Sequence, residues 1–368
     1  MNELSEIIRD EIRTNGPMRF KRFMELALYH PELGYYNRRV KIGSKTKHSG
    51  SVYDFSTHPE TYSPHYGNAF ARLITTMALQ LPEEVTIHEQ GAGNGTLAKD
   101  ILDPIKIEYP SFYERIHYII TDISPLLREK QEEKLADHSC VRIQEGSAIT
   151  TPIPSFNGFM ITNELPDAFP VDLVLKVDNS FYVVTVDEKN GEFFPLWDIG
   201  AGEREMRYVE QGGYLPRVLP FKPADVSQSQ HEIANELIRV AVPINEDMLL
   251  WYDRLTKSLE RGAIITTDYG KIGGGAILDS LLEVKERALR TFKDGETSRA
   301  QMNPFIEVGE RDMTSDVNFI FLTMVGQKNG LDSYMFLKER DIVDKFAGFY
   351  MNNSFETLIH PKGITIPL

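Results

Sequence analysis

The sequence predicts an α/β chain built on a doubly wound parallel sheet, with a helical cap before the sheet and a β-containing insertion within it. Three observations predict this. Short β-branched runs alternate with helical periodicity from Val85 to about Val174, and such alternation builds a parallel sheet covered by helices. A glycine-rich turn, Gly91-Ala92-Gly93-Asn94-Gly95, joins the first of those strands to a helix. Two β-branched runs, 173–177 and 181–186, then flank Asp178-Asn179-Ser180 with the pattern of a hairpin.

In chain order, Leu4, Ile7, Ile8 and Ile12 recur at helical spacing, and a second helix is expected over 20–29, ending at His30-Pro31. Arg38, Arg39, Lys41, Lys45 and Lys47 lie among Gly43, Ser44, Ser49 and Gly50 and read as a solvated loop. A helix over about 66–81 leads into the strand ending at Val85-Thr86-Ile87, and helical spacing resumes from Thr96 to Leu102. The run 116–122 is the next buried strand, followed at Ser124-Pro125 by a helix carrying Leu126, Leu127 and Gln131. Residues 158–162 form a further core strand, and a second turn falls at 188–192. Helices are expected over 231–240 and 246–260, then a strand over 263–267 ending at Asp268. Gly273-Gly274-Gly275 marks a surface or lid-like segment over 270–304, with one helix at 280–289. The apolar run 318–325 and a strand at 355–359 are expected to complete the sheet. The organisation is thus a cap and cleft loop (1–65), an α/β core (66–171), a β-rich insertion (172–230) and the rest of the core (231–368).

The glycine turn carries the most information about chemistry. Glycine permits positive φ and places no Cβ between chain and ligand. A nicotinamide-type dinucleotide turn wants Gly-x-Gly-x-x-Gly, with the pyrophosphate on the helix N-terminus. Here Thr96 stands where the third glycine would be, and Gly95 comes one residue earlier. The acid Glu89 would repel a diphosphate and suits a ligand with a cationic or hydroxyl group. S-adenosylmethionine (SAM) has an ammonium, a sulfonium and no phosphate. It is the expected cofactor, held by Glu89, Gly91, Ala92, Gly93, Gly95 and Thr96. Asp122, with Ile123 after it, ends the next strand and suits the two ribose hydroxyls. A glycine turn that binds nothing, and an Asp122 that only marks a helix start, are the plainer alternatives.

Catalysis is expected beyond the strand 159–162, where Asn163, Glu164 and Asp167 converge. Methyl transfer requires a nucleophile placed in line with the methyl group, and a carboxylate binds a planar guanidinium bidentately. Glu164 is the first candidate and Asp167 the second; Asn163-Glu164 as a turn cap or as a holder of the cofactor's methionyl part is the alternative.

Composition sets the remaining bounds. The 54 acidic residues outnumber 40 Lys and Arg, for a formal charge of −14. This disfavours a nucleic-acid partner and favours a basic protein segment. Cys140 is the only cysteine, so neither an intramolecular disulfide nor a cysteine-based zinc site is expected, and the histidines lack helical metal-site spacing. No metal is expected. No apolar stretch approaches the ~18 residues of a membrane span. The first fifteen residues are acidic and amphipathic rather than signal-like or transit-like, so the expected location is cytoplasmic, or the mitochondrial matrix in a eukaryote. The oligomeric state is open, a homodimer included.

Several segments together resemble the MidA-type SAM-dependent methyltransferases. Gly16-Pro17-Met18-Arg19-Phe20 and His30-Pro31-Glu32-Leu33-Gly34-Tyr35-Tyr36 are similar to the family's opening signature, and Asp54-Phe55-Ser56-Thr57-His58-Pro59-Glu60 to its Gly-Asp-Phe-x-Thr-x-Pro-Glu segment. The cofactor turn, 124–131, Asn163-Glu164-Leu165-Pro166-Asp167-Ala168-Phe169-Pro170-Val171, Asp268-Tyr269-Gly270 and 312–319 follow in family order. The sequence departs from the family at Tyr53, at Leu165-Pro166 and at Ser315, Asp316 and Asn318. The resemblance implies a Rossmann-like methyltransferase sheet, and Thr57 and Glu60 over the cofactor cleft. It also implies a protein arginine substrate, since the family's mitochondrial members are protein arginine methyltransferases that assist respiratory complex I assembly; a respiratory-complex subunit is the implied partner. A SAM-binding assembly protein without transfer, a small-molecule methyltransferase and a nucleotide-dependent oxidoreductase remain alternatives.

Overall fold

The structure, a computed structural model, describes residues 2–43, 53–81, 84–177, 180–200, 202–212, 238, 241–272, 289–295, 303–352 and 355–367. Two compact units share the chain, one of 1–40, 167–247 and 271–320, the other of 41–166, 248–270 and 321–368.

The first unit opens with α1 (Glu3–Asn15) and α2 (Phe20–Tyr29), matching the expected periods. Asn2 caps α1 by accepting the Leu4 N–H at 3.0 Å. The face of α2 that carries Phe20, Phe23 and Ala27 is buried because its apolar residues recur every three to four positions.

The second unit begins with two short-looped helices, α3 (His58–Tyr62) and α4 (His65–Ala78). Its sheet then accumulates as β1 (Val85–Gln90), α5 (Thr96–Glu108), β2 (Ile116–Asp122), α6 (Pro125–Lys134), β3 (Val141–Glu145) and β4 (Phe156–Asn163). Ser124 caps α6 through the Leu127 N–H, and Pro125 takes the first turn, where its missing N–H costs nothing.

The chain next returns to the first unit for β5 (Asp172–Val177), β6 (Ser180–Lys189) and β7 (Glu192–Ile199), the expected antiparallel insertion. Asn190 and Gly191 both take positive φ, 55° and 83°, as a tight two-residue hairpin turn requires. Helix α7 (Glu203–Gln211) and β8 (Val242–Ile244) follow, β8 pairing with β5 and Met18–Arg19 with β6. The junction 178–179 and the expected helix 231–240, apart from Ile238, lie outside the described residues.

Helix α8 (Glu246–Ser258) and β9 (Leu259–Asp268) appear as expected. Two expectations downstream are corrected. Leu289 opens a strand, β10 (Leu289–Phe292), paired with β11 (Asp312–Ser315), rather than ending a helix; 273–288 lie outside the described residues. The run 318–325 does not complete the main sheet: Asn318 closes a two-residue strand, Val317–Asn318, outside it, and the rest is helix. That helix is α9 (Phe319–Lys328), opened by Asn318, whose Oδ1 accepts the Ile320 N–H at 3.3 Å. Phe319, Phe321, Leu322 and Thr323 are buried and Met324 is exposed, but the exposed position is as apolar as the buried ones, so no helical period shows in the sequence of the run. The chain ends with β12 (Met335–Lys338), α10 (Glu339–Ala347) and β13 (Glu356–Lys362).

The seven-stranded sheet of the second unit runs β3-β2-β1-β4-β9-β13-β12. Its first five strands are parallel, and β13 is antiparallel to both β9 and β12. One face packs Val85, Ile87, Tyr118, Ile120, Phe159, Ile161 and Ile265 against α4, α5 and α10. Trp251 and Tyr252 of α8 are buried, and Trp251 reaches Gln90 of β1. Strand order reverses on either side of β1, so the crevice beyond the carboxyl ends of β1, β2 and β4 is where such a sheet binds ligands.

Candidate active site

At the carboxyl end of β1 the backbone turns through Gly91, Gly93 and Gly95 with φ of 67°, 54° and 77°. L side chains rarely adopt this region. Space is short as well: a Cβ on Gly91 would lie 2.9 Å from Leu165 Cδ1, and one on Gly93 3.2 Å from Ile42 Cδ1. The turn is pinned by Gly91 N–H to Thr121 O at 3.1 Å and Gly95 N–H to Ala92 O at 2.9 Å. Thr96 then starts α5.

Glu89 is 3% exposed and accepts the Tyr118 hydroxyl at 2.6 Å. Burial pushes its carboxyl up to about 7, partly offset by the Tyr118 hydrogen bond and reinforced by Asp122. Asp122 accepts the Ser124 N–H and the Gln131 side-chain amide, each at 2.9 Å. Burial still pushes it up to about 6. Asp122 thus opens the α6 segment and stands at the strand end beside the glycine turn, with Ile123 following it. Gln131 ties the two, its Nε2 also donating to Gly93 O at 2.8 Å.

Thr57 caps α3, accepting the Glu60 N–H at 3.5 Å. Glu60 in turn reaches the glycine turn: its Oε1 accepts Thr96 Oγ1 at 2.5 Å and Asn94 Nδ2 at 3.1 Å, with Lys134 Nζ at 3.9 Å. Glu60 thus buttresses the turn.

Asn163 ends β4, and Glu164 follows with φ of 51°, a strained value for a residue with a side chain. Glu164 Oε1 accepts the His58 N–H at 3.0 Å and Asn163 Nδ2 at 2.9 Å, while its own N–H donates to Thr267 O at 2.9 Å. Of the three expected catalytic residues, Asn163 and Glu164 are in contact. Asp167 belongs to the first unit, buried, with Ser315 Oγ donating to its carbonyl at 3.4 Å.

Sequence reasoning missed His58, Tyr66, Glu339 and the Gln90–Trp251 pair. Tyr66 donates to Asn163 Oδ1 at 2.6 Å, and Trp251 Nε1 to Gln90 Oε1 at 2.7 Å. These pairs join segments 97 and 161 residues apart, and no local pattern announces them.

The residues suit SAM. The glycine turn leaves a strip of bare backbone, two acids stand at the adjoining strand ends, and two buried atoms beside the turn, Gln90 Nε2 and Gln131 Oε1, have no hydrogen-bond partner among the described residues. Among the described residues no cluster of His, Cys, Asp and Glu could hold a metal, and no helix is long and apolar enough to cross a membrane.

A family model for S-adenosyl-L-methionine-dependent methyltransferases, Methyltransf_28, matches residues 69–337. The chain belongs to this family. The methyltransferase is 23% identical to the mitochondrial protein arginine methyltransferase NDUFAF7 homolog of Drosophila melanogaster, over 89% of this chain and 70% of that one. It is 22% identical to the mitochondrial protein arginine methyltransferase NDUFAF7 of Danio rerio, over 96% and 83%. Its fold is shared with a Burkholderia thailandensis protein solved with S-adenosyl-homocysteine bound, at a TM-score of 0.74 and 21% identity, covering 98% of this chain and 92% of that one. The α/β methyltransferase fold and the SAM cofactor expected from the sequence both stand.

Proposed function

We propose that this methyltransferase modifies arginine side chains of a protein, with Glu164 receiving the guanidinium. The observation that carries the reading is Glu164 itself, an acid held at positive φ beyond β4, the strand next to the cofactor strand, with its Oε1 fixed by two donors. The relatives named as protein arginine methyltransferases support the same acceptor class.

When bound, SAM supplies an electrophilic methyl group on sulfonium sulfur. The Gly91–Gly95 backbone would lie against it, Asp122 would accept from its ribose hydroxyls, and Glu89 would meet its positive charge. Glu60, through Asn94 and Thr96, keeps the turn in shape. Glu164 pairs with the guanidinium, orients one nitrogen toward the methyl group, and localises electron density there. The proton that leaves the methylated nitrogen passes to that carboxylate or to water. Asp167 is proposed as a second acid for the acceptor.

The test is transfer of isotopically labelled methyl from SAM to peptide pools containing arginine, lysine or neither, read by mass spectrometry. Label on arginine alone is expected, with a Glu164→Gln variant slower by about 100-fold. Label on lysine, on small molecules only, or an unimpaired Glu164→Gln variant would overturn the assignment.

A further inference from the structure

Glu339, the first residue of α10, is fully buried, and no part of the chemistry above uses it. Its Oε1 faces His58 Nδ1 and accepts the Phe355 N–H at 3.2 Å; its Oε2 meets the Tyr66 hydroxyl at 3.1 Å. The His58 ring is held flat on Phe355, with centroids 3.8 Å apart and planes 10° from parallel. Both groups that Glu339 grips lead to Glu164. The backbone N–H of His58 donates to Glu164 Oε1 at 3.0 Å. The Tyr66 hydroxyl donates to Asn163 Oδ1 at 2.6 Å, and Asn163 Nδ2 donates to that same Glu164 Oε1 at 2.9 Å.

We infer that Glu339 and His58, through Tyr66 and Asn163, are positioning residues that set the direction of the Glu164 carboxylate; the inference rests on the proposed role of Glu164. An asparagine amide has one accepting and one donating end. With Tyr66 donating to its oxygen, Asn163 must turn its NH₂ toward Glu164, and a reversed amide would set oxygen against carboxylate. Burial holds the proton on Tyr66, so the hydroxyl stays a donor. The single Tyr66 proton lies between two acceptors, Asn163 Oδ1 at 2.6 Å and Glu339 Oε2 at 3.1 Å, and is shared between them, so Glu339 holds that hydroxyl and the His58 ring together and orients both donors to Glu164 from outside the reacting groups.

The test uses Glu339→Gln and Tyr66→Phe in the full chain, with three readouts: SAM affinity by calorimetry, transfer to arginine peptides, and the Asn163 carboxamide NMR resonances. The expected result is SAM affinity within about twofold of wild type, a kcat lower by about tenfold with KM little changed, and displaced Asn163 resonances. Unmoved resonances with unchanged kcat would overturn the inference, as would equal losses of SAM affinity and transfer, which mark a purely structural group. Tyr66→Phe, which deletes one hydroxyl, decides the matter if Glu339→Gln does not fold. If the wild-type protein methylates no arginine peptide, the proposed function fails, while the Asn163 resonances still test the clamp.

Discussion

Glu89 should make SAM affinity depend on pH. Its carboxyl is raised from 4.5 to about 7 because burial disfavours the charged form. Below pH 7 the acid is therefore largely protonated, and a cationic ligand, which binds the carboxylate form better, must expel that proton. If the bound ligand returns the group to 4.5, the linkage spans about 2.5 pH units, roughly 3.4 kcal/mol. Over a range the fold tolerates, affinity at pH 5.5 should be roughly 20-fold weaker than at pH 7.5. Calorimetry in buffers of different ionisation enthalpy reads both the change in Kd and the proton released, close to one per SAM near pH 6. Glu89→Gln keeps an acceptor for the Tyr118 hydroxyl and should remove most of the slope, leaving only what Asp122, raised to about 6, contributes. A flat wild-type profile from pH 5.5 to 7.5, or a Glu89→Gln profile as steep as wild type, would refute the reasoning.

Three further outcomes are expected. Gly93→Val places a β-branched side chain at φ 54° and 3.2 Å from Ile42 Cδ1, so SAM affinity should fall by more than about 100-fold while circular dichroism shows the fold retained; undiminished affinity would overturn the role of the turn. Thr162 and Thr266 are register neighbours on β4 and β9, fully buried, and their hydroxyls have no partner, so Thr→Val at either should stabilise by about 1 kcal/mol in urea titration. A loss of stability there would show that the hydroxyls are bonded after all. His360 is fully buried and lowered to about 4 by burial. The unfolded chain binds that proton more readily, so the stability His360 contributes is present above pH 6.5 and lost as pH falls toward 4. The gap between wild type and His360→Gln should narrow by about 2.5 kcal/mol from pH 7 to 4.5, and a constant gap would contradict it.

Much of the second unit was legible because its signals are local. The glycines between Gln90 and Thr96 mark a turn that only bare backbone can make, and Ser124-Pro125 marks a helix start by its own chemistry. The strands ending at Asp122, Asn163 and Asp268 were equally plain, since each is a buried apolar run closed by a polar residue. What was not legible depends on distant partners. Residues 318–325 were read as strand because the run is apolar whether buried or exposed, Met324 at 42% exposure included, so its composition has no period to betray its helix. Glu339 sits between Lys338 and Arg340 like any surface acid, and only the pairing of β12 with β13 carries it into the interior beside His58. Glu60 was expected over the cofactor cleft from the resemblance alone; that it braces Thr96 depends on a contact across 36 residues.

The place of β13 between β9 and β12 has a consequence for biosynthesis. Until residues 356–362 emerge from the ribosome, β9 carries an open hydrogen-bonding edge, and β12 has no strand to rest on. A chain without β13 therefore leaves that flank of the sheet exposed, a state that invites pairing with another copy. A premature stop between Asp268 and Glu356 would leave that flank permanently open, so nonsense and frameshift alleles late in the gene should yield aggregates rather than shortened enzyme.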